Sequence, residues 1–341
     1  MIATALAAGC GGGSGLKLTL LDSSHQRPSN VAVYFTVDTR DGEPVPGLTA
    51  ESFRIYEDGQ LVSVHESKQT ILNPEIASAH YTVLLVDMSG SVVESDDVPT
   101  IVAAASSFAD RVGKHQQVAV YAFDGGKDLV RISDFSSNTG QLHRGIERLD
   151  GFKSKDPSTN LNGAVLNAVK ALDRQMRRTR VPLVFGTIVV FTDGSDRAAR
   201  VSRDELHDAL EQVEHDVYVI GVGNEIDEDE LQAIGRSGAI LSKDRQDITS
   251  AFEETAARIE AFTKRYYLLG YCSPARAGAH EVTIEAQYEG KTGTLNYEFD
   301  ANGFRPQCNP EKKPRFDIRR PRDPAPAGNG DDRDGTWGRG R

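Results

Sequence analysis

The chain has 341 residues, of which 38% are hydrophobic and 26% are charged, and its formal net charge is −11. These values are typical of a folded protein that also carries some unstructured length, and the chain length favours two domains over one. The acidic balance, with no basic stripe in the part expected to fold, excludes a nucleic-acid-binding protein. No apolar segment is long enough to span a bilayer as a helix.

The N-terminus carries a short apolar run that ends in the sequence LAAGC at residues 6–10, followed by a Gly- and Ser-rich stretch to residue 15. LAAGC resembles a bacterial lipobox, which implies cleavage before Cys10 and a lipid on that residue. Gly11 then implies the outer membrane by the family's sorting rule, and the flexible stretch suits a tether. The run is short for an export signal and has no Lys or Arg before its apolar core. An upstream start codon would explain this departure, and the alternative is a cytosolic protein with an Ala- and Gly-rich start.

Residues 16–77 have the pattern of short strands. Apolar and polar side chains alternate between Val31 and Val37, which predicts a half-buried strand. Two further strands, Phe53–Glu57 and Leu61–His65, are predicted to flank an Asp-Gly turn. Pro and Gly residues separate these segments as turns.

The pattern changes over residues 78–263. Thr82–Val86 and Thr187–Thr192 are continuous apolar runs, typical of strands that are covered on both faces. Helical and strand-like segments alternate around them. This order predicts an α/β fold with a doubly wound, mostly parallel sheet and helices on both faces. The remaining predicted segments are helices at 101–112, 161–176, 204–213, 227–234 and 248–262 and strands at 117–123 and 217–222.

The strand pattern returns in residues 264–304, where Tyr266–Tyr271 and a hairpin around residues 289–293 are predicted. The two β-rich segments would each have little core alone. We therefore expect one small antiparallel β-sandwich, with the α/β domain inserted into it, and the alternative is two independent β-ribbons. Residues 305–341, rich in Pro, Gly, Arg and Asp, are predicted to be a disordered tail.

Three polar motifs lie where buried strands end or helices begin. Asp87, Ser89 and Ser91 follow the first buried strand, Thr159 precedes a helix, and Asp193 ends the second buried strand. In an open parallel sheet, ligands bind at the carboxyl ends of strands near the point where the strand order reverses. Carboxylate and hydroxyl oxygens suit a hard cation such as Mg²⁺, Mn²⁺ or Ca²⁺. The alternative is that these residues only cap helices.

The three motifs, in this order, resemble the metal-ion-dependent adhesion site of the von Willebrand factor A domain, whose first motif is D-x-S-x-S. The resemblance covers about residues 78–263. It implies a divalent cation, Mg²⁺ or else Mn²⁺ or Ca²⁺, with some ligands acting through water. It also implies a protein partner that offers an Asp or Glu as the last ligand. The ligand set implied by the motifs is Asp87, Ser89, Ser91, Thr159 and Asp193.

The function that follows is cation-dependent protein binding, for adhesion or as a scaffold, by an envelope-anchored lipoprotein. We expect no enzymatic activity. Ser89 stands where a phosphotransferase of the haloacid dehalogenase type needs a second Asp, and the frame of a serine-hydrolase elbow is absent. The alternatives are a structural envelope protein whose metal site is vestigial or only stabilises the fold, and a metal-dependent hydrolase.

A second acidic cluster, Glu94, Asp96 and Asp97, follows the first motif. In integrin-type A domains, acids at such a place form an adjacent cation site, but the spacing here departs from that pattern. The simpler interpretation is that Asp97 begins a helix, where the helix dipole favours an acidic side chain.

The three cysteines are Cys10, Cys272 and Cys308. If Cys10 carries lipid, the other two are left as a pair, and an oxidising compartment would allow a disulfide between them. The alternative is two buried free thiols, since the sequence does not fix their separation.

Overall fold

The computed structural model describes residues 15–72, 78–181, 183–312 and 315–316. The expected lipidation site at Cys10, the tether up to residue 14 and most of the expected C-terminal tail lie outside these ranges. Among the described helices, none combines the length and the apolar composition that crossing a membrane requires.

In the described residues, strands predominate before and after the α/β part, and strands and helices alternate within it. The strands are β1 (Leu16–Gln26), β2 (Asn30–Thr39), β3 (Phe53–Glu57), β4 (Gln60–Leu61), β5 (Thr70–Leu72), β6 (Ser78–Asp87), β7 (Gln117–Phe123), β8 (Val130–Ser136), β9 (Leu183–Gly194), β10 (Asp216–Glu225), β11 (Gly238–Ser242), β12 (Tyr266–Cys272), β13 (Ala279–Tyr288) and β14 (Lys291–Asp300). The α-helices are α1 (Val64–Ser67), α2 (Gly90–Val93), α3 (Val98–Val112), α4 (Thr139–Ile146), α5 (Leu161–Met176), α6 (Arg203–Glu211), α7 (Glu228–Ile234) and α8 (Ile248–Lys264).

Two antiparallel four-stranded sheets pack face to face as a β-sandwich. Their strand orders are β1-β2-β12-β5 and β14-β13-β3-β4. In the first sheet Val33 of β2 lies opposite Leu269 of β12, and in the second Ile55 of β3 lies opposite Ile284 of β13. These four side chains are fully buried in one hydrophobic cluster between the sheets. Strands from before and after the α/β part thus share both sheets.

The segment Leu61–His65 is not the strand that its sequence predicts. β4 ends at Leu61, and the short helix α1 begins at Val64. Leu61 is 61% exposed and Val64 is 40% exposed, so only Val62 places an apolar side chain in the core. An alternating apolar pattern favours a strand only where its apolar side chains are buried, and Leu61 and Val64 are largely exposed.

The α/β part has a six-stranded sheet in the order β11-β10-β9-β6-β7-β8, in which only the β7–β8 pair is antiparallel. Residues of α3, α4 and α8 pack on one face of this sheet, and residues of α5, α6 and α7 pack on the other. The predicted fold class is therefore confirmed. From β6 the chain moves to β7 on one side and later to β9 on the other, so the strand order reverses at β6.

Four elements of the α/β part, α2, β8, α4 and β11, have no counterpart in the sequence-based prediction. β8 and β11 are the edge strands of the sheet, and they carry weak burial patterns: Val130 of β8 is 41% exposed, and the residues of β11 are all half-buried. Because an edge strand is covered less than a central strand, its sequence shows neither a continuous apolar run nor a clear alternation.

The sandwich and the α/β part are joined by aromatic packing. The buried side chains of Tyr34, Leu183 and Tyr266 belong to one cluster, with Phe185 packed against it. The ring of His80 in β6 stacks on Phe185 with centroids 4.8 Å apart. The starts of β6 and β9 therefore face the sandwich, and their carboxyl ends point away from it.

The described residues after β14 are held against the sandwich, including Arg315, whose carbonyl accepts from Ser24 Oγ at 2.7 Å, whereas the sequence predicts a disordered tail from residue 305. The main-chain N–H of Arg305 donates to the carbonyl of Pro28 at 2.7 Å, and that of Asn309 donates to Asn30 Oδ1 at 3.0 Å. A disulfide joins Cys272 of β12 to Cys308, with Cα atoms 5.6 Å apart. These bonds add to the burial of Ala301 and Phe304 in the sandwich core.

Candidate metal centre

Asp87 is the last residue of β6, and its side chain is fully buried. The parallel register places Val86 opposite Phe191 of β9, so the next residues of the two strands, Asp87 and Thr192, end side by side. The Thr192 hydroxyl donates to Asp87 Oδ2 at 2.6 Å, and the Ser89 main-chain N–H donates to Oδ1 at 2.9 Å. Both carboxylate oxygens are thereby oriented at the carboxyl edge of the sheet.

The electrostatic state of Asp87 follows from this position. The pKa of its carboxyl group is raised to about 7, mainly by burial; the hydrogen bond from Thr192 opposes this shift, the negative charge of Asp193 adds to it, and the hydrogen bonds from Ser89 oppose it. A buried carboxylate is stable only when a proton, a cation or sufficient hydrogen bonds compensate its charge. Near neutral pH, a cation at this position would therefore compete with a proton for the Asp87 carboxylate.

Both carboxylate oxygens of Asp193, the second acidic residue of the site, accept hydrogen bonds. Ser91 Oγ donates to its Oδ1 at 2.9 Å and lies 3.3 Å from Ser89 Oγ. Arg245 Nη2 donates to its Oδ2 at 3.0 Å. Burial raises the pKa of Asp193, and the contacts with Ser91 and Arg245 oppose that shift. Ser89, Ser91 and Asp193 therefore form one continuous set of oxygen atoms.

The loop that carries Thr159 is attached to the other two loops through main-chain atoms. The carbonyl oxygen of Thr159, a buried residue, accepts from the N–H of Arg197 at 3.0 Å in the loop after β9. The N–H of Gly90 donates to the carbonyl of Pro157 at 2.9 Å. A Cβ atom on Gly90 would lie 2.8 Å from Pro157 Cβ, so this approach of the first and second loops requires glycine.

The structure thus brings Asp87, Ser89, Ser91 and Asp193 together through hydrogen bonds, and it places Thr159 on the adjoining loop. All of these side chains offer oxygen atoms, which suits a hard divalent cation. The two buried carboxylates carry up to two negative charges against the single positive charge of Arg245. This donor set fits a divalent cation.

The second acidic cluster is arranged differently. Asp97 Oδ2 accepts from Arg245 Nη1 at 2.6 Å, at the start of α3. Within the described ranges, no three carboxylate, imidazole or thiolate side chains lie close enough to hold a metal ion. Glu94, Asp96 and Asp97 are therefore not gathered into a carboxylate cage, and Asp97 serves instead as a partner of Arg245.

Thr192 and Arg245 are site residues that the sequence did not single out. Thr192 directly precedes Asp193 in the sequence. A hydroxyl next to a motif carboxylate could therefore have indicated that Thr192 belongs to the site. Arg245 comes 52 residues after Asp193, in a short 3₁₀ turn before α8. No local pattern marks that arginine, because its contact depends on how α8 packs beside the end of β9.

The fold is an α/β domain whose sheet carries three interlocked oxygen-bearing loops at its carboxyl edge. Residues 82–195 match the family model of the von Willebrand factor type A domain. No curated protein shows significant similarity to the chain.

Several solved structures resemble the chain at low identity. A von Willebrand factor type A protein from Catenulispora acidiphila is 13% identical, with 85% of this chain and 74% of that one covered and a TM-score of 0.42. The ArnB paralog VWA2 from Sulfolobus acidocaldarius is 14% identical, with 83% and 74% covered and a TM-score of 0.40. Proximal thread matrix protein 1 from the mussel byssus, with a zinc-occupied MIDAS motif, is 16% identical, with 60% and 49% covered and a TM-score of 0.45.

Proposed function

We propose that the chain is a divalent-cation-dependent protein-binding module and that its cation bridges to a carboxylate of a protein partner. The observation that carries this proposal is the pairing of the buried Asp87 with Thr192 beside Asp193, at the point where the strand order reverses. Asp87, Ser89, Ser91, Thr159 and Asp193 would hold Mg²⁺, or Mn²⁺ or Ca²⁺ in its place, directly or through water. The cation would supply a positive centre for an outside Asp or Glu.

The exposure of the site supports an outside ligand. Asp87, Ser89 and Thr159 are buried, whereas Ser91 is exposed and Arg245 lies at the rim with 40% of its side chain accessible. The buried residues would hold the cation on its protein side, and the exposed residues would leave it accessible to a ligand from solvent. A carboxylate that approaches from solvent would meet the cation and the Arg245 guanidinium together, and both attract an anion.

The site contains no arrangement that favours catalysis over binding. The Ser91 hydroxyl is hydrogen-bonded to Ser89 Oγ and to Asp193, and within the described residues no histidine is hydrogen-bonded to either serine hydroxyl. A nucleophilic serine needs an adjacent base. The oxygen set is therefore suited to holding an ion and an ion's ligand, and we assign it a binding role.

Cation binding is tested by calorimetric titration of the full chain with MgCl₂ and MnCl₂. We expect a single site that is lost in Asp87→Ala and in the isosteric Asp87→Asn, while circular dichroism shows that both variants remain folded. Asp208→Asn, which changes an exposed carboxylate on α6, should titrate like the unaltered protein. An Asp87→Asn titration indistinguishable from that of the unaltered protein would rule out this site as the cation site.

Partner binding is tested by capture from an envelope extract on the immobilised chain, once with Mg²⁺ and once with chelator. We expect a protein that is retained with Mg²⁺, released by chelator and absent from the Asp87→Asn column. If that protein survives chelation while Mg²⁺ still raises the melting temperature, the cation stabilises the fold and does not bridge to a partner.

Anchoring is a separate part of the proposal, and it rests on the lipobox-like sequence before Cys10. We infer that the module is tethered by a lipid on Cys10 to the bacterial envelope, at the outer membrane. In a bacterial host, Cys10→Ala should move the protein from the membrane fraction to the soluble fraction. A Cys10→Ala protein that still sediments with membranes would contradict a lipid anchor at this residue.

A further inference from the structure

A cavity of about 370 Å³ lies beside the candidate metal centre. It lies between the start of α5, the segment after β9 and the start of α7. Its walls include Asn162, three residues after Thr159, and Asp196, three residues after Asp193. Its volume falls in the range of pockets that take small organic groups.

Three oxygen atoms on the cavity walls are buried and lack a hydrogen-bond partner: Asn162 Oδ1, Asp196 Oδ1 and Glu230 Oε1. Only 2% of Asn162 and 6% of Glu230 is exposed. The Asn162 amide nitrogen donates to the carbonyl of Val201 at 3.2 Å, which leaves the amide oxygen as the free atom. A buried acceptor without a donor destabilises the fold. All three atoms are acceptors, so a group that pairs with them must be a donor.

The net charge of the residues that line the cavity is negative, which favours a donor that carries a positive charge. Asp196, Asp227 and Glu230 contribute three carboxylates, and Arg203 contributes the one guanidinium among the lining residues. Arg203 Nε lies 3.1 Å from Glu230 Oε2, and its Nη2 pairs with Asp227. His207 Nε2 is 3.7 Å from Glu230 Oε1, beyond hydrogen-bond distance. Three acids against one base leave an excess of about two negative charges near neutral pH.

The donor set favours an organic cation over a metal ion. No three carboxylate, imidazole or thiolate groups converge on a metal-sized point anywhere in the described part of the chain. The unpaired acceptors include an amide oxygen, and the cavity is larger than a bare ion needs. Guanidinium and ammonium groups carry several N–H donors on one positive charge and can reach separate acceptors at once.

We propose that this cavity binds a primary ammonium or a guanidinium group through Asn162, Asp196 and Glu230. The cation is of the lysine or arginine type, and it comes either from a polypeptide side chain or from a free amine. The proposal goes beyond cation-dependent partner binding and does not depend on it, because these three residues are separate from the five metal-ligand candidates.

The test uses the full-length chain carrying Asp87→Asn, so that the metal centre is not the site observed. Backbone and Asn-amide resonances are followed while Nα-acetyl-arginine amide and Nα-acetyl-lysine amide are added. We expect saturable shifts at Asn162 and Asp196, and at least about tenfold weaker binding of the neutral citrulline analogue. Equal binding of the citrulline analogue would overturn the proposal.

Two variants and one control locate the site. Glu230→Gln and Asp196→Asn should each weaken arginine-amide binding by about fivefold or more, whereas Asp208→Asn on the exposed face of α6 should not. Unchanged affinity in both site variants would refute the assignment, as would displacement of the probe by MgCl₂ alone at matched ionic strength. Tighter binding of the blocked amides than of free arginine would indicate a polypeptide source, and the reverse a free amine.

Discussion

Arg245 and Asp193 form an ion pair at the rim of the candidate metal centre, with Nη2 of the arginine 3.0 Å from Oδ2 of the carboxylate. The same guanidinium reaches Asp97 at 2.6 Å, so one arginine connects the end of β9 to the start of α3. The pair neutralises one of the two site carboxylates. A cation that binds at Asp193 must therefore share that carboxylate with a positive side chain.

Removal of this positive charge should tighten cation binding. We expect Arg245→Ala to bind Mg²⁺ about 3- to 30-fold more tightly at low ionic strength, with the difference shrinking as salt is added. Calorimetric titration at two salt concentrations measures this. Arg258→Ala is the matched control, because Arg258 lies on α8 with similar exposure but pairs with Glu254. Weaker Mg²⁺ binding by Arg245→Ala would mean that the arginine organises the site.

Cation binding should depend on pH around neutrality. Burial raises the pKa of Asp87 to about 7, so below that pH the cation competes with a proton on the same carboxyl group. We expect Mg²⁺ affinity to fall by up to about tenfold per pH unit between pH 7 and pH 5 and to level off above pH 8. Titrations in buffers of different ionisation enthalpy count the protons released, and no proton release at pH 6.5 would contradict the prediction.

The hydrogen bond from Thr192 should set the pH at the midpoint of Mg²⁺ binding. The Thr192 hydroxyl lowers the pKa of Asp87, so Thr192→Val should raise it and move the midpoint of Mg²⁺ binding to higher pH. Thr187→Val, in the same strand β9 and away from the carboxyl edge, serves as the control for the change of side chain. Coincident pH profiles for Thr192→Val and the unaltered protein would show that the hydrogen bond does not tune the site.

The sequence was sufficient to predict the centre of the α/β part and the positions of the site oxygens. Buried central strands such as β6 and β9 have continuous apolar runs, and a carboxylate at the end of each run marks the carboxyl edge of the sheet. Edge strands lack that signal, which is why β8 and β11 were missed. The strand predicted at Leu61–His65 was wrong because an alternating pattern does not by itself show which residues are buried.

The electrostatic surroundings of the site could not be predicted from the sequence. The contact of Arg245 with Asp193 depends on the packing of α8, and the unpaired oxygen of Glu230 depends on where α7 meets α5. Both relations join residues that are distant in the chain. The same holds for the segment around Cys308, whose composition predicts disorder although hydrogen bonds attach it to Pro28 and Asn30 and the disulfide attaches it to β12.

The junction between sandwich and α/β part should weaken in acid. Burial lowers the pKa of His80 to about 4, so the folded protein holds this ring neutral whereas the unfolded chain protonates it near pH 6.5. The neutral His80 ring therefore contributes fully to the free energy of unfolding above pH 6.5, and this contribution is lost as the pH falls towards 4. We expect His80→Phe, which keeps an aromatic ring against Phe185, to lose less stability over that interval in urea unfolding. Parallel pH profiles for the two proteins would contradict this.

The disulfide should stabilise the sandwich by closing the loop between β12 and the segment after β14. Cys272 and Cys308 are 36 residues apart, and a loop of that length corresponds to about 2–4 kcal/mol of unfolding free energy. Under non-reducing conditions the intact mass should be lower by two hydrogens than after reduction. Replacing both residues, as Cys272→Ser with Cys308→Ser, should lower the urea midpoint and make it insensitive to reductant. A double variant as stable as the oxidised protein would show that the main-chain bonds of Arg305 and Asn309 hold the segment without the disulfide.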